Sequence, residues 1–486
     1  MTKIGATSPV LVSKHDALTP GRIARSALAA EGRVADLADF HQWLAGFGLR
    51  AFTEVERIPL DDLEGWSSDP VTGDIRHHSG RFFTIEGLEV SVPDGPVTGW
   101  EQPIINQPEI GILGVLVKEF GGVLHFLMQA KVEPGNVNGL QLSPTVQATR
   151  SNYSGVHRGR AVPYLEYFRD TSRHRVIADV RQSEQGSWFL RKRNRNMVVE
   201  VAGDVEPRDG FCWLTLGQLH RLLAVHDLVN ADARTVLACL PFAGADAVKA
   251  YGQDGGGFRA ALARSCGEEE GGLHSMDELQ SWITEVRART EIRSRRVPLG
   301  QVRHWHRSAD RISHDTGKFF DVIGVKVAAG GREVNGWTQP MIEPHGAGVN
   351  AFLVMEISGV LHALVQARAE PGLVDSVELA PTVQCTPENY EHLPAAAWPR
   401  YLDEIVQAGP DRVRFDTTFS EEGGRFFHAR GRYVIVETRD ARLEPSDDFR
   451  WVAVHQLVDL LRHSHYLNIQ ARSLVACLHS LMTAPG

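Results

Sequence analysis

The apolar positions of this chain change period along its length, and the changes come in a fixed order. Val34, Leu37, Phe40, Trp43, Leu44 and Phe47 fall at helical spacing and predict a helix with one apolar stripe. Gly80 to Val90 alternates and is rich in strand formers, which predicts a strand. Ile112 to Phe120 and Val123 to Lys131 flank Gly121-Gly122 and predict a hairpin closed by a glycine turn. Pro163 to Arg169 reads as a short helix and Ser187 to Val201 as a strand pair. Leu216, Leu219, Leu222 and Leu223, then Val236, Leu237 and Leu240, mark two closing helices.

The whole series then returns. Trp43 recurs as Trp282, Ile58-Pro59-Leu60 as Val297-Pro298-Leu299, and Trp66 as Trp305, each 239 positions on. Beyond a two-residue deletion between Trp305 and Ile312 the offset is 237, so that His125 recurs as His362 and Tyr153 as Tyr390. The second hairpin turns at Ser358-Gly359, and Val454, Leu457, Leu460, Leu461, Leu474, Val475 and Leu478 repeat the closing helices. The expected fold is α+β, two tandem duplicated domains, each a mixed β-sheet flanked by helices. Expected boundaries are a loosely held N-terminal arm over 1–33, a first repeat over 34–241, a Gly-rich acidic linker over 242–273 without counterpart, and a second repeat over 274–486.

Composition narrows the functional classes. Across 486 residues, 43% hydrophobic and 23% charged positions suit a soluble globular protein, and the net charge of −9 argues against nucleic acid or an anionic membrane as partner. Five scattered cysteines without a Cys-x-x-Cys pair point to a reducing, cytoplasmic setting and away from disulfides or a thiolate metal site. No signal peptide or membrane span is expected.

Candidate chemistry concentrates in the repeated core. His125, Gln129 and Lys131 share one face of their strand, and Glu133 continues it to Pro134-Gly135. The row reads as a pocket wall or as a solvated face; its return as His362, Gln366, Arg368 and Glu370 favours the pocket. Gln147 lies in a polar row with Thr145 and Thr149 and returns as Gln384. The run Arg191, Lys192, Arg193, Arg195 could clamp a diphosphate or be a solvated basic strand, and only Arg430 and Arg432 remain basic in its copy. Trp100-x-Gln102-Pro103 returns as Trp337-x-Gln339-Pro340, an indole that could stack on a base or simply pack. His304-Trp305-His306 and His463-Ser464-His465 lack the partners of a metal site, and no Walker A loop, strand-linked G-x-G-x-x-G or G-x-S-x-G is present.

The motifs L-M-Q-A-K-V-E-P-G-N at 127–136, L-S-P-T-V-Q-A-T-R-S-N-Y at 142–153, K-R-N-R-N-M at 192–197 and L-A-P-T-V-Q-C-T-P-E-N-Y at 379–390 resemble the NDP-hexose 2,3-dehydratases of deoxysugar biosynthesis. The resemblance implies a homodimeric bacterial antibiotic-pathway enzyme with two Nudix-like domains per chain, acting on dTDP-4-keto-6-deoxyglucose. It implies two nucleotide-sugar pockets, one of them vestigial, here Trp337, Gln339, His362, Gln366, Arg368, Glu370, Gln384, Asn389 and Tyr390. The G-x5-E-x7-R-E-x2-E-E-x-G box of metal-dependent Nudix hydrolases is missing.

A C4 ketone acidifies the C3 hydrogen, so the reaction needs a base, a donor to the enolate oxygen and an acid for the leaving C2 hydroxyl, and no redox cofactor, while metal dependence stays open. Residue type and spacing suggest Glu133 or His125 as base, Lys131 as donor, and Tyr153 or His157 as acid. Arg150, Arg191, Arg193 and Arg195 are the candidate diphosphate ligands, Trp100 the thymine platform, and Gln102, Gln129, Gln147, Ser151 and Asn152 further substrate contacts. Arg150-Ser151 and His157 give way to Pro387-Glu388 and Pro394 in the copy, which points to the first half as the working one. The product would pass to an NADPH-dependent 3-ketoreductase. The competing readings are a non-catalytic nucleotide-sugar-binding protein and a Nudix-like epimerase or hydrolase.

Overall fold

A computed structural model describes residues 18–149, 161–252, 256–267, 271–330, 336–391, 393–440 and 446–483. Each half is built on a seven-stranded mixed sheet. In the first, the order is Arg175–Ser183, Arg193–Glu200, Gly111–Phe120, Val123–Val132, Phe211–Thr215, with Leu140–Ser143 on Val123–Val132 and Val146–Ala148 on Gly111–Phe120. Arg193–Glu200 runs parallel to Gly111–Phe120, and the other pairs are antiparallel. The second half repeats the sheet around Gly348–Ile357 and Val360–Ala369, including its parallel pair with Arg430–Glu437.

Local chemistry sets these elements. The hairpin turns at Gly121 and Gly122 with φ of 55° and 80°, and the copy uses Ser358 and Gly359 at 52° and 82°, the left-handed pair that a tight two-residue turn requires. The helix Leu216–Leu223 starts at a Thr215–Gln218 capping box, and Ala231–Ala238 and Ile469–Ser480 start at Asn230 and Asn468. Their apolar faces, with Leu219, Val236 and Leu474, close over Phe126 and Phe352 in one core that spans both halves. Among the described residues no helix is long and apolar enough to cross a membrane.

Two features differ from the sequence expectation. The first concerns the arm and the linker. Thr19–Leu28 is a helix with Ile23 and Ala24 fully buried; Ser26 Oγ donates to Leu124 O at 2.5 Å and accepts from Leu216 N at 3.0 Å. Phe258–Arg264, inside the expected linker, does the same for the second half: Ser265 Oγ donates to Leu361 O and accepts from Val454 N at 2.8 Å. Ala24-Arg25-Ser26 and Ala263-Arg264-Ser265 are therefore equivalent, and the repeat starts at the arm. Helices of ten and seven residues rich in alanine carry too few large apolar positions to show a period.

The second difference is an exchange of strands. Each half also has a five-stranded sheet, and each takes one strand from the other half. Phe52–Ile58 pairs with Phe320–Gly330, Val55 opposite Val327, while Arg293–Val297 pairs with Thr84–Ser91, Arg295 opposite Glu89. Reciprocal glycine turns lock the exchange. Gly135 N donates to Gly423 O at 2.7 Å and Gly135 O accepts from His428 N at 2.8 Å; Gly372 N donates to Gly186 O at 2.8 Å and Gly372 O accepts from Arg191 N at 2.7 Å. A Cβ on Gly135 would lie 1.8 Å from Phe426 O, and one on Gly372 1.9 Å from Phe189 O.

Backbone cannot yield to such contacts cheaply, so Gly135→Ala is expected to lower unfolding stability by about 2–4 kcal/mol in urea denaturation. Gly203→Ala, where a Cβ would meet nothing within 4 Å, is expected to stay within about 0.5 kcal/mol of the parent.

Candidate functional site

The strand exchange builds a cavity of about 370 Å³ from both halves. The first half's large sheet supplies Lys131, Gln147 and Asn194, its strand ends supply Glu133, Thr149, Glu184 and Lys192, and the first turn of Ala231–Ala238 supplies Asp232. Its small sheet and the adjoining loops add Trp66, His77, Phe82 and Phe83. Trp337, Thr338, Gln339, Glu422, Gly424 and Arg425 come from the second half.

The polar wall is a connected set. Glu133 is buried, 3.6 Å from Lys131 Nζ, and accepts from Gln147 Nε2 at 2.8 Å; Gln147 Oε1 in turn accepts from Asn230 at 3.3 Å. Asn194 bridges Glu184, donating at 2.7 Å, and Gly111 N, accepting at 3.0 Å. Lys192 Nζ donates to Glu109 O. On the opposite wall Trp337 Nε1 donates to Gln339 Oε1 at 2.8 Å, and Gln339 Nε2 to Gly424 O at 2.7 Å. Arg425 lies 4.3 Å over the Phe83 ring and reaches Gln107 Oε1 at 3.3 Å.

Burial dominates the electrostatics. It raises Glu422 to about 7, against the pull of Arg425 and with the help of Glu133 and Glu184. It raises Asp232, with Glu184, Glu422 and Glu133 acting in the same direction, and Glu184, against Arg472 and Lys192. It lowers Lys192 to about 8. Asp232 Oδ1, Glu184 Oε2 and Glu422 Oε2 are buried without a hydrogen-bond partner among the described residues. A cavity of this kind keeps proton donors and acceptors side by side near neutral pH, as acid–base catalysis requires. Among the described residues no three His, Cys, Asp or Glu side chains are arranged to hold a metal ion.

The structure brings together Lys131, Glu133 and Gln147 and corrects several other sequence expectations. Trp337 and Gln339, expected in the second pocket, face Lys131 across this one, because their strand belongs to the sheet that the exchange carries over. Trp100 and Gln102 sit on the other side: Gln102 Nε2 donates to Ser187 O at 2.8 Å in the loop that holds the Gly372 turn. His125 is fully buried away from the cavity, with Nε2 accepting from Arg33 N and Nδ1 at Val123 O, both at 3.0 Å. Gln129 does not line the cavity. Strand alternation splits the basic run, turning Lys192 and Asn194 inward and leaving Arg191, Arg193 and Arg195 off the cavity, with Arg195 paired to Asp179 at 2.5 Å. Arg150, Ser151, Asn152, Tyr153 and His157 lie outside the described residues.

In the second half Arg368 Nε pairs with Glu370 Oε1 at 3.3 Å, Gln384 Nε2 donates to Glu370 at 2.8 Å, and Tyr390 bonds Arg368. Asn389 Oδ1 accepts from Phe319 N at 3.0 Å, His362 is buried like His125 and accepts from Leu273 N, and Gln366 is half-buried beside them on its strand. The Gln–Glu pair is thus shared scaffold. The sequence reading missed Asp232, Glu184, Glu422, Lys192 as a cavity residue, and Arg425. The signal available was divergence between the halves: Asp232 stands opposite Gln470, Glu422 opposite Gln185, Lys192 opposite Ala429 and Arg425 opposite Trp188.

A model of the NDP-hexose 2,3-dehydratase family matches the chain twice, over residues 37–240 and 276–478. The chain is 52% identical over 464 residues to a Saccharopolyspora spinosa protein named dTDP-4-dehydro-6-deoxy-alpha-D-glucopyranose 2,3-dehydratase, covering 95% of each. Proteins of the same name from Amycolatopsis orientalis and Streptomyces violaceoruber are each 48% identical, over 96% and 92% of this chain and 94% and 98% of theirs.

The raised carboxyls fix the sign of a pH effect. Unfolded, Glu422 titrates near an ordinary ~4.3, whereas folded it keeps its proton to about 7, so between those values the folded state binds more protons and stability falls as pH rises. The urea midpoint is expected to drop between about pH 5 and about pH 7.5, and Glu422→Gln to flatten that drop. Parallel slopes for parent and variant would contradict the assignment.

Proposed function

The chain belongs to the NDP-hexose 2,3-dehydratase family, and on that premise we propose that it is a hydro-lyase removing the C2 hydroxyl of dTDP-4-keto-6-deoxy-D-glucose in the cavity of its first half. The observation that carries the placement is the inequality of the two halves. The cavity holds Lys131, Glu133, Glu184, Lys192, Asp232 and Glu422, while the positions that correspond to them in the repeat are Arg368, Glu370, Glu421, Ala429, Gln470 and Gln185.

In this reading the Glu133 carboxylate takes the C3 proton, and the Lys131 ammonium beside it stabilises the charge that develops on the C4 oxygen. The enolate then expels the C2 hydroxyl, and the 2,3-enol tautomerises to the 3,4-diketo-2,6-dideoxy sugar nucleotide. Trp337, held by Gln339, replaces Trp100 as the platform for thymine, and Arg425, which lines the same cavity, is the guanidinium for the diphosphate.

A reactive α-diketone calls for prompt reduction, which is why an NADPH-dependent 3-ketoreductase is the expected partner, in antibiotic or related deoxysugar assembly. A mixed sheet with a parallel pair under flanking helices in each half supports the Nudix-like reading. The homodimer draws support from Leu49 and Phe52, 90% and 47% exposed, as apolar surface for a second copy to cover.

Incubation with dTDP-4-keto-6-deoxyglucose, the ketoreductase and NADPH is expected to yield the 2-deoxy sugar nucleotide, and retention of the C2 hydroxyl under every condition rejects the proposal. Lys131→Ala is expected to lower kcat about 10³-fold or more, and Arg368→Ala to leave it within about threefold. The reverse result moves the site to the second half.

A further inference from the structure

Asp232 and Glu422 reach the same cavity from opposite halves of the chain, one in the first turn of Ala231–Ala238, the other on the loop after Val413–Ser420. Among the described residues Asp232 Oδ1 and Glu422 Oε2 are buried with no hydrogen-bond partner, although Glu422 Oε1 accepts from Gly424 N at 3.1 Å. A buried, unpartnered oxygen is costly on a carboxylate and much less so on a carboxylic acid, which carries its own donor and no charge. The groups around the two carboxyls are Glu133, Glu184 and Lys131, with Arg425 beside Glu422 and with Lys192 and Arg472 beside Glu184. Two carboxylates, Glu133 and Glu184, crowd them both, and burial reinforced by that crowding favours the protonated form.

The duplicated half provides an internal comparison. Its equivalents of Asp232 and Glu422 are Gln470 and Gln185, and Gln185 Nε2 donates to Glu421 Oε2 at 2.9 Å. An amide fits the position sterically and cannot transfer a proton at neutral pH. The scaffold pair Glu133–Gln147 is kept in both halves as Glu370–Gln384, whereas the carboxyls at these two positions are found in one.

Resting on the dehydratase reading, we propose that Asp232 and Glu422 hold one proton between them and deliver it to the departing C2 hydroxyl. The balance closes within the cavity. Glu133 takes the C3 proton, and the electron pair moves onto the C4 oxygen. As the C4 carbonyl re-forms, that pair makes the C2=C3 bond, the C2–O bond breaks, and the oxygen leaves as water with the proton of the shared carboxyl. Glu133 then returns its proton to C2, and the enol O–H passes its proton to the Asp232–Glu422 pair, restoring both groups. One water leaves, and no electrons enter or leave.

The test separates the two proton transfers. Glu422→Gln and Asp232→Asn, checked for folding by thermal melting, are given the 4-keto sugar nucleotide in deuterium oxide. Exchange at C3 and loss of the C2 hydroxyl are followed together by mass spectrometry and NMR. Each variant is expected to lose the hydroxyl about 10²-fold more slowly while exchanging C3 within about threefold of the parent, because Glu133 and Lys131 are untouched. The high-pH limb of elimination should vanish with the acid. Elimination at the parent rate in the double variant overturns the proposal, as does a fall of exchange and elimination in parallel. Should Asp232→Asn fail to fold, Glu422→Gln, which installs the amide that the second half already carries, gives the same readout. A parent enzyme that exchanges C3 and never loses the hydroxyl refutes the dehydratase reading itself, a result distinguishable from failure of the acid assignment.

Discussion

Arg234 and Arg472 lie buried at the seam between the halves, and a buried guanidinium is tolerable only where its donors find acceptors. Each is anchored in its own half, Arg234 to Val229 O and Arg472 to Leu467 O, both at 2.7 Å. Each then crosses over. Arg234 donates to Ser473 Oγ at 3.2 Å and Ser420 O at 3.0 Å, and Arg472 to Thr235 Oγ1 and Ser183 O, both at 2.5 Å. Ser183 and Ser420 end the strands from which Glu184 and Glu422 emerge. The strand ends from which Glu184 and Glu422 emerge are thus each tied to a guanidinium of the opposite half.

Much of the fold was legible because hydrophobic period and turn chemistry are local. The Gly121-Gly122 hairpin, the closing helices and the duplication follow from neighbouring residues, and Lys131, Glu133 and Gln147 share a cavity as their strand faces suggest. Strand exchange was not legible. Phe52–Ile58 and Arg293–Val297 are equivalent in the repeat, so either could pair within its own half, and no local pattern distinguishes the two outcomes. That ambiguity is why local pattern assigns Trp100, and not Trp337, to the cavity that holds Lys131.

The site residues that were missed share another cause. Asp232, Glu184 and Glu422 come from a helix start and two strand ends far apart in sequence, and isolated acids in such places look like ordinary surface charge. His125 shows the opposite error: its register aligned it with Lys131, but the Thr19–Leu28 helix and the turn at Arg33 cover that end of the strand and convert a polar face into core. The basic run failed for the simplest reason, since a strand shows only every second residue to a ligand.

Exchange also bears on how such a chain could have arisen. A single half, standing alone, would present Thr84–Ser91 with no Arg293–Val297 and would leave Phe52–Ile58 with no Phe320–Gly330 to pair with. The unit that was duplicated could have satisfied those edges by interlocking with an identical copy, which yields two equal sites bound by symmetry to mutate together. Joining the copies in one polypeptide removed that constraint. Gln185 and Gln470 could then appear in one site without being imposed on the other, and specialisation became a matter of independent substitutions.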